Sequence, residues 1–339
     1  MSVVVLAAAA ASLLVSAPAS VSAPPAAADR DASVARVLAA SRQASLEGRW
    51  DDSERLLAGS IAGARASRLA DLPPLLAERG RVLADRSSFG RRDPDRARRA
   101  LTEAVDAARA AGDARSEADA RQSLAQMRYG ETFDAGDWAG VRAEFEELVA
   151  ARERLGDRPG LSESYFYLGL TYEQDGRAND ALPLYRRSLE ISQAIGDRVM
   201  QSYAHRHIGG IEEERGDLDA AECDIALSLE LRRQTRFLVT LPYAMLQMAD
   251  FLERRRGRRD EARRLVEQAI DAAEEGRSSH ALATARLELS RMLEESGKLS
   301  RSLRYAECAR EAAVDFGDVA GIKTADDRIG KLRARIAER

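Results

Sequence analysis

The chain has 339 residues and a formal net charge of −4, from 52 basic and 56 acidic side chains. Charged residues make up 32% and aromatics 5%, so signs are balanced and no basic excess points to nucleic acid. Length alone predicts about two or three globular domains, but the repeat described below removes that expectation, because a solenoid grows by stacking.

The first element is an apolar run, Val3 to Val15 (VVVLAAAAASLLV), followed by a Pro/Ala/Ser stretch with small-residue sites ending at Ala19 or Ala28. The run is shorter than the ~20 residues that cross a bilayer, so no integral membrane span is expected. It fits the apolar core of a secretory signal peptide, although no Lys or Arg precedes Val3. Residues 1–29 are read as a leader, cleaved on export to a periplasmic or secreted location. The alternative is a cytoplasmic chain that keeps a disordered leader.

From about Ser33 the apolar pattern is helical, in a composition rich in Ala, Arg, Leu and Glu. Gly48, Gly136, Gly176, Gly216, Gly257 and Gly297 recur at a spacing close to forty residues. Each is followed at a fixed offset by a small or β-branched residue (Ser53, Val141, Ala181, Ala221, Ala262, Ser302). Further on comes Leu57, Phe145, Tyr185, Ile225, Val266 or Ala306. Gly112-Asp113, Gly156-Asp157, Gly196-Asp197 and Gly317-Asp318 mark unit ends, Gly stopping one helix and Asp capping the next. The pattern predicts helix pairs over 34–68, 70–113, 114–157, 158–197, 198–235, 236–276 and 277–318, and a final capping helix over 319–339. Phe89 to Asp93 reads as a loop, with Asp93-Pro94 restarting the helix. Pro183 inside a predicted helix should introduce a kink.

The fourth unit carries Tyr165, Leu168-Gly169, Tyr172, Gly176, Ala181, Tyr185 and Ser188. These residues resemble the tetratricopeptide repeat, with its aromatic, Leu-Gly and Tyr on helix A and its Gly, Ala, aromatic and small residue through helix B. The usual period is ~34 residues and ends with Pro. The longer period here, with Gly-Asp at the close, resembles the repeats of kinesin light chains, spindle-orientation adaptors and the sensor half of maltose-type bacterial activators. The resemblance implies an all-α, right-handed superhelical solenoid of about seven helix-turn-helix repeats plus a C-terminal capping helix, over 30–318 and 319–339. It also implies a concave groove, lined by helix A, that binds a protein, a peptide or a small effector.

Carried over position by position, the groove stripe is Glu163, Phe166, Leu170 and Glu173 in the fourth unit, and Tyr203, Arg206, Gly210 and Glu213 in the fifth. The sixth supplies Tyr243, Leu246, Asp250 and Glu253, and the seventh Thr284, Leu287, Arg291 and Glu294. Aromatic and Arg anchors suit a binding hot spot. Arg186, Arg232 and Arg264 on helix B should face outward on the convex side. Cys223 and Cys308 lie two repeats apart, too far for a disulfide, and are expected to be packed small apolar residues. His205 and His207 point apart on a helix and should not share a metal ion; His205 stands where the repeat places an aromatic.

The sequence contains no G-x-S-x-G, no G-x-x-x-x-G-K-[ST] and no Cys pair at zinc spacing. An enzyme is not expected, nor a cofactor. The expected function is a non-enzymatic protein- or peptide-binding scaffold working through the concave groove. The alternative is a sensor module in which a small effector or signalling peptide changes the superhelix pitch.

Overall fold

The computed structural model describes residues 25–67, 69–90 and 93–338. The apolar run of the leader lies outside the described residues. Helix α1 already begins at Pro25, so residues 25–29, counted above with the leader, are helical.

Among the described residues there are helices and no strand. The first three pairs are α1 (Pro25–Leu46) with α2 (Trp50–Ser67), α3 (Leu72–Phe89) with α4 (Pro94–Ala111), and α5 (Ala114–Ala135) with α6 (Trp138–Leu155). Then come α7 (Arg158–Gln174) with α8 (Ala178–Ile195), and α9 (Arg198–Arg215) with α10 (Leu218–Gln234). The last pairs are α11 (Leu241–Arg256) with α12 (Arg259–Glu275) and α13 (Ser279–Glu295) with α14 (Leu299–Phe316), before α15 (Val319–Ala337). The result is a helical-repeat superhelix in which odd-numbered helices are helix A of each unit.

The unit boundaries follow from local chemistry. Gly112, Gly156, Gly196 and Gly317 all hold left-handed φ angles between +60 and +84°, which glycine adopts without strain. Asp113, Asp197 and Asp318 then accept from the backbone N–H of Ser116, Met200 and Gly321 at 3.0, 3.0 and 2.9 Å. Asp157 makes no such cap and pairs instead with the buried Arg152 guanidinium. Helix α8 continues through Pro183 to Ile195.

Within a pair, helices A and B cross where side chains are small. A Cβ placed on Gly169 would sit 2.7 Å from the Tyr185 ring, and one on Gly209 would sit 2.9 Å from Ile225. Ala181, Ala221, Tyr185 and Ile225 are fully buried there. The recurrent serine after them is a cross-link: Ser162 Oγ donates to the Ser188 carbonyl at 2.9 Å, and Ser228 Oγ to the Ser202 carbonyl at 2.8 Å. Ala221→Leu is therefore expected to overpack the crossing and cost about 1–3 kcal/mol. Urea denaturation checks it; parental stability would mean that α9 and α10 do not cross there.

The ends of the fifth and sixth units break the pattern. Arg236 and Arg277, both at φ 51°, take left-handed conformations where other units use glycine, at a cost of roughly 1–2 kcal/mol each. The segment Phe237–Thr240 between α10 and α11 is buried because the first unit folds against it. Val239 N–H donates to the Leu46 carbonyl at 3.2 Å, Gln43 to the Thr235 carbonyl at 3.4 Å, and Arg236 pairs with Glu47 at 3.2 Å. Gly48 lies directly against the Gly276 backbone, and Trp50, Phe237 and Val239 share one apolar cluster. A solenoid of nearest-neighbour contacts alone would leave the first and sixth units apart; here they close a ring.

Two expectations are corrected, the first of them by closure. Arg232 does not face outward: it is 1% exposed, lies over the Tyr203 and Phe237 rings, and donates to the Thr240 carbonyl at 2.7 Å. Among the described residues no carboxylate pairs with it, and burial lowers its pKa to about 9. Cys223 is exposed rather than packed. Arg186 and Arg264 are exposed as expected.

Candidate partner-binding site

The helix A stripe is a chain of contacts from unit to unit. Phe166 meets Tyr203 with ring centroids 5.2 Å apart, and Tyr203 meets Phe237 at 5.4 Å. His207 Nδ1 lies 2.9 Å from the Glu173 carboxylate, which also accepts from Tyr185. Burial raises the Glu173 pKa, but the His207 bond and charge outweigh it and leave the carboxylate below its ordinary range. Farther along, Arg255 reaches Glu213 at 2.7 Å, Arg291 pairs with Glu253, and Arg328 reaches Glu294 at 2.8 Å.

These contacts divide the stripe. Phe166, 1% exposed, and Leu170, 7% exposed, belong to the core between α7, α8 and α9 and are not groove surface. The physical reason is the tight winding: successive A helices come close enough for large apolar stripe residues to meet each other. Tyr203 is half-buried between two clusters. Arg206 is half-buried, with its carbonyl accepting from Gln247 at 3.1 Å. Tyr243 is half-buried, its hydroxyl 2.7 Å from His280 Nδ1. His205 is buried and pairs with Asp224, while His207 turns to Glu173.

Two spaces among the described residues matter for binding on the concave side. An inner cavity of about 460 Å³ is walled by α1, α3, α5, α7 and α9 and includes Glu163. An outer cleft of about 580 Å³ lies across α11, α13 and α15. Its floor carries Leu246 and Leu287, and its rim Asp250, Arg291, Asp327 and Lys331. Six of the stripe residues read from sequence, Leu246, Asp250, Thr284, Leu287, Arg291 and Glu294, thus come together in one cleft.

Sequence reading missed the third wall. Helix α15 is expected as a cap, yet a step of about forty residues from Thr284, Leu287 and Arg291 lands on Thr324, Asp327 and Lys331. All three line the cleft, so α15 acts as helix A of an eighth unit. Arg291 is held by Glu253, Glu288 and Glu295, which fixes its guanidinium. Asp327 and Lys331 stand exposed on α15 and form no ion pair among the described residues.

No group of His, Cys, Asp and Glu suited to a metal ion occurs among the described residues. Among them, no helix is long and apolar enough to cross a membrane.

Residues 132–194 match the tetratricopeptide repeat family. No curated protein matches the chain in sequence. Among solved structures, a Rap protein complexed with competence and sporulation factor is similar over 90% of this chain and 99% of its own, at 12% identity and TM-score 0.50. A signal-transduction ATPase (STAND) with a tetratricopeptide repeat sensor from Pyrococcus horikoshii is similar over 84% of this chain, at 13% identity and TM-score 0.56. The similarity spans only 42% of that longer chain. A putative kinesin light chain repeat array from Podosopora anserina aligns over 57% of this chain and 92% of its own, at 17% identity and TM-score 0.43. With a direct match in its third and fourth units and a helix-pair fold shared with these structures, the chain is similar to tetratricopeptide-repeat proteins.

Proposed function

We propose that the chain binds a peptide segment of a partner protein in the outer cleft and performs no chemistry there. The fold is that of a protein-interaction scaffold in general. The observation that carries the finer reading is the convergence of equivalent positions from three consecutive A helices on one cleft. An apolar floor offers burial, and uncommitted Asp327 and Lys331 offer a rim that can pair with either sign. The mechanism is a preorganised surface: Arg291 is already held by three carboxylates, so a partner orders little on binding.

The test is a partner recovered by pull-down with the full chain, followed by affinity measurements. Leu287→Asp and Lys331→Glu should each weaken binding by at least about 30-fold, the scale of a 2 kcal/mol hot spot. Arg264→Glu on the outer face should change it less than about twofold. The reverse ranking removes the cleft as the site.

A second reading, a sensor whose winding answers a ligand, is favoured by the contact between the first unit and the segment after α10. That contact supplies a discrete closed state, which a ligand can bias. The structural neighbours include a Rap protein bound to a signalling factor and a repeat sensor, which supports the same direction.

A further inference from the structure

The inner cavity differs in kind from the outer cleft. Five A helices surround it, with Leu38, Arg42 and Leu46 of α1 on one side. One part of its wall is apolar: Leu38, Leu46, Ala77, Val199 and Met200. The other part is charged, and its charges do not cancel. Arg42 and Arg81 are held by Glu78 at 3.4 and 2.7 Å, and Arg81 also by Asp85 at 2.6 Å. Arg115 lies 3.7 Å from Asp157, and Arg152 sits between Asp157 and Asp119, 2.8 Å from the latter.

After these pairs, two wall carboxylates have no cation in ion-pair contact among the described residues. Asp197 is engaged in capping α9 through the Met200 N–H. Among the described residues Glu163 accepts one hydrogen bond, from the Gln126 amide at 2.7 Å. Burial raises the Glu163 pKa, and nearby Arg152 only partly offsets it. Arg152 and Arg81 act on Glu163 only from beyond ion-pair contact, so a cation placed directly on this partly desolvated carboxylate lowers the cost of its charge. Interiors of folded proteins close up around voids, so an amphipathic space of this size, within the range of ligand pockets, suits an amphipathic occupant.

We propose that the inner cavity binds a small organic cation, its ammonium or guanidinium group on Glu163 and its apolar part against Leu38, Leu46 and Val199. This site is separate from the outer cleft and stands whether or not the cleft binds a peptide. Because α1 forms part of the wall and its end is fastened to the segment after α10, occupancy holds the ring shut. The cation can be a free amine or the side chain of a short peptide; the chemistry is shared.

The test is calorimetric titration of the full chain with n-hexylammonium and with the dipeptide amide Arg-Leu-NH2, against 1-hexanol and hexanoate as neutral and anionic isosteres. At least one cationic probe should bind, at least about tenfold more tightly than hexanol or hexanoate, the factor that 1.4 kcal/mol gives. Binding of hexylammonium identifies a free amine as sufficient, and binding of the dipeptide alone identifies a peptide side chain. Glu163→Gln should lose at least about tenfold in cation affinity while its thermal midpoint stays level or rises. Leu287→Asp, in the outer cleft, should leave cation affinity unchanged. No binding of either cation, equal binding of hexanoate, or an E163Q protein that binds cations as the parent does would each overturn the proposal. The charge series uses the unaltered chain, so the result does not depend on a variant folding.

Discussion

Phe166→Ala is expected to cost about 3–5 kcal/mol of stability. The residue was a natural choice for a groove anchor from its place on helix A, but its ring is 1% exposed. It touches Tyr167, Tyr185, Tyr203 and His207, with centroids 5.2 to 5.5 Å apart. Truncation removes the hub of this cluster and leaves a cavity that the surrounding rings, fixed on three helices, fill only in part. Urea denaturation monitored by circular dichroism measures the loss. A change below about 1 kcal/mol, with partner affinity lost, would return Phe166 to the binding surface.

Gly48→Val is expected to open the ring. Gly48 has φ +72° and lies against the Gly276 backbone, which has no flexible side-chain end to move aside. A β-branched residue there meets two penalties: left-handed strain of roughly 1–2 kcal/mol and a clash relieved only by lifting the first unit away. Lifting it breaks the Val239–Leu46 backbone bond and the Arg236–Glu47 pair. Gly112→Val is the control, because Gly112 has φ +69° but nothing within 4 Å of an added Cβ. Small-angle scattering should show a larger radius of gyration for the Gly48 variant and none for the Gly112 variant. Equal radii for the two variants and the parent would mean that the closure does not hold the first unit.

The helix pairs were legible because they rest on local chemistry. Left-handed glycines and capping aspartates stop and start helices wherever they occur, and Ala181, Ala221, Gly169 and Gly209 mark crossings through size alone. What the sequence did not reveal was non-local. Helical periodicity assigns Arg232 to a face of α10, but the segment that covers that face is Phe237–Thr240, held down by α1 from the far end of the array. The stripe positions were legible as a stripe. Their division into core (Phe166, Leu170), inner wall (Glu163) and cleft (Leu246, Asp250, Leu287, Arg291) was not, since it depends on how tightly the units wind. The walls contributed by Thr324, Asp327 and Lys331 did carry a signal, the continuation of the repeat step into α15.

Hydrogen exchange on the complex with the recovered partner tests the central claim, that the concave cleft of the last units is the working surface. The expected footprint is slowed exchange in segments 246–250, 284–294 and 324–331, on α11, α13 and α15, with α12 and α14 unchanged. Protection confined to α12 and α14, with those three segments exchanging as in the free chain, would place the partner on the convex face and contradict the account.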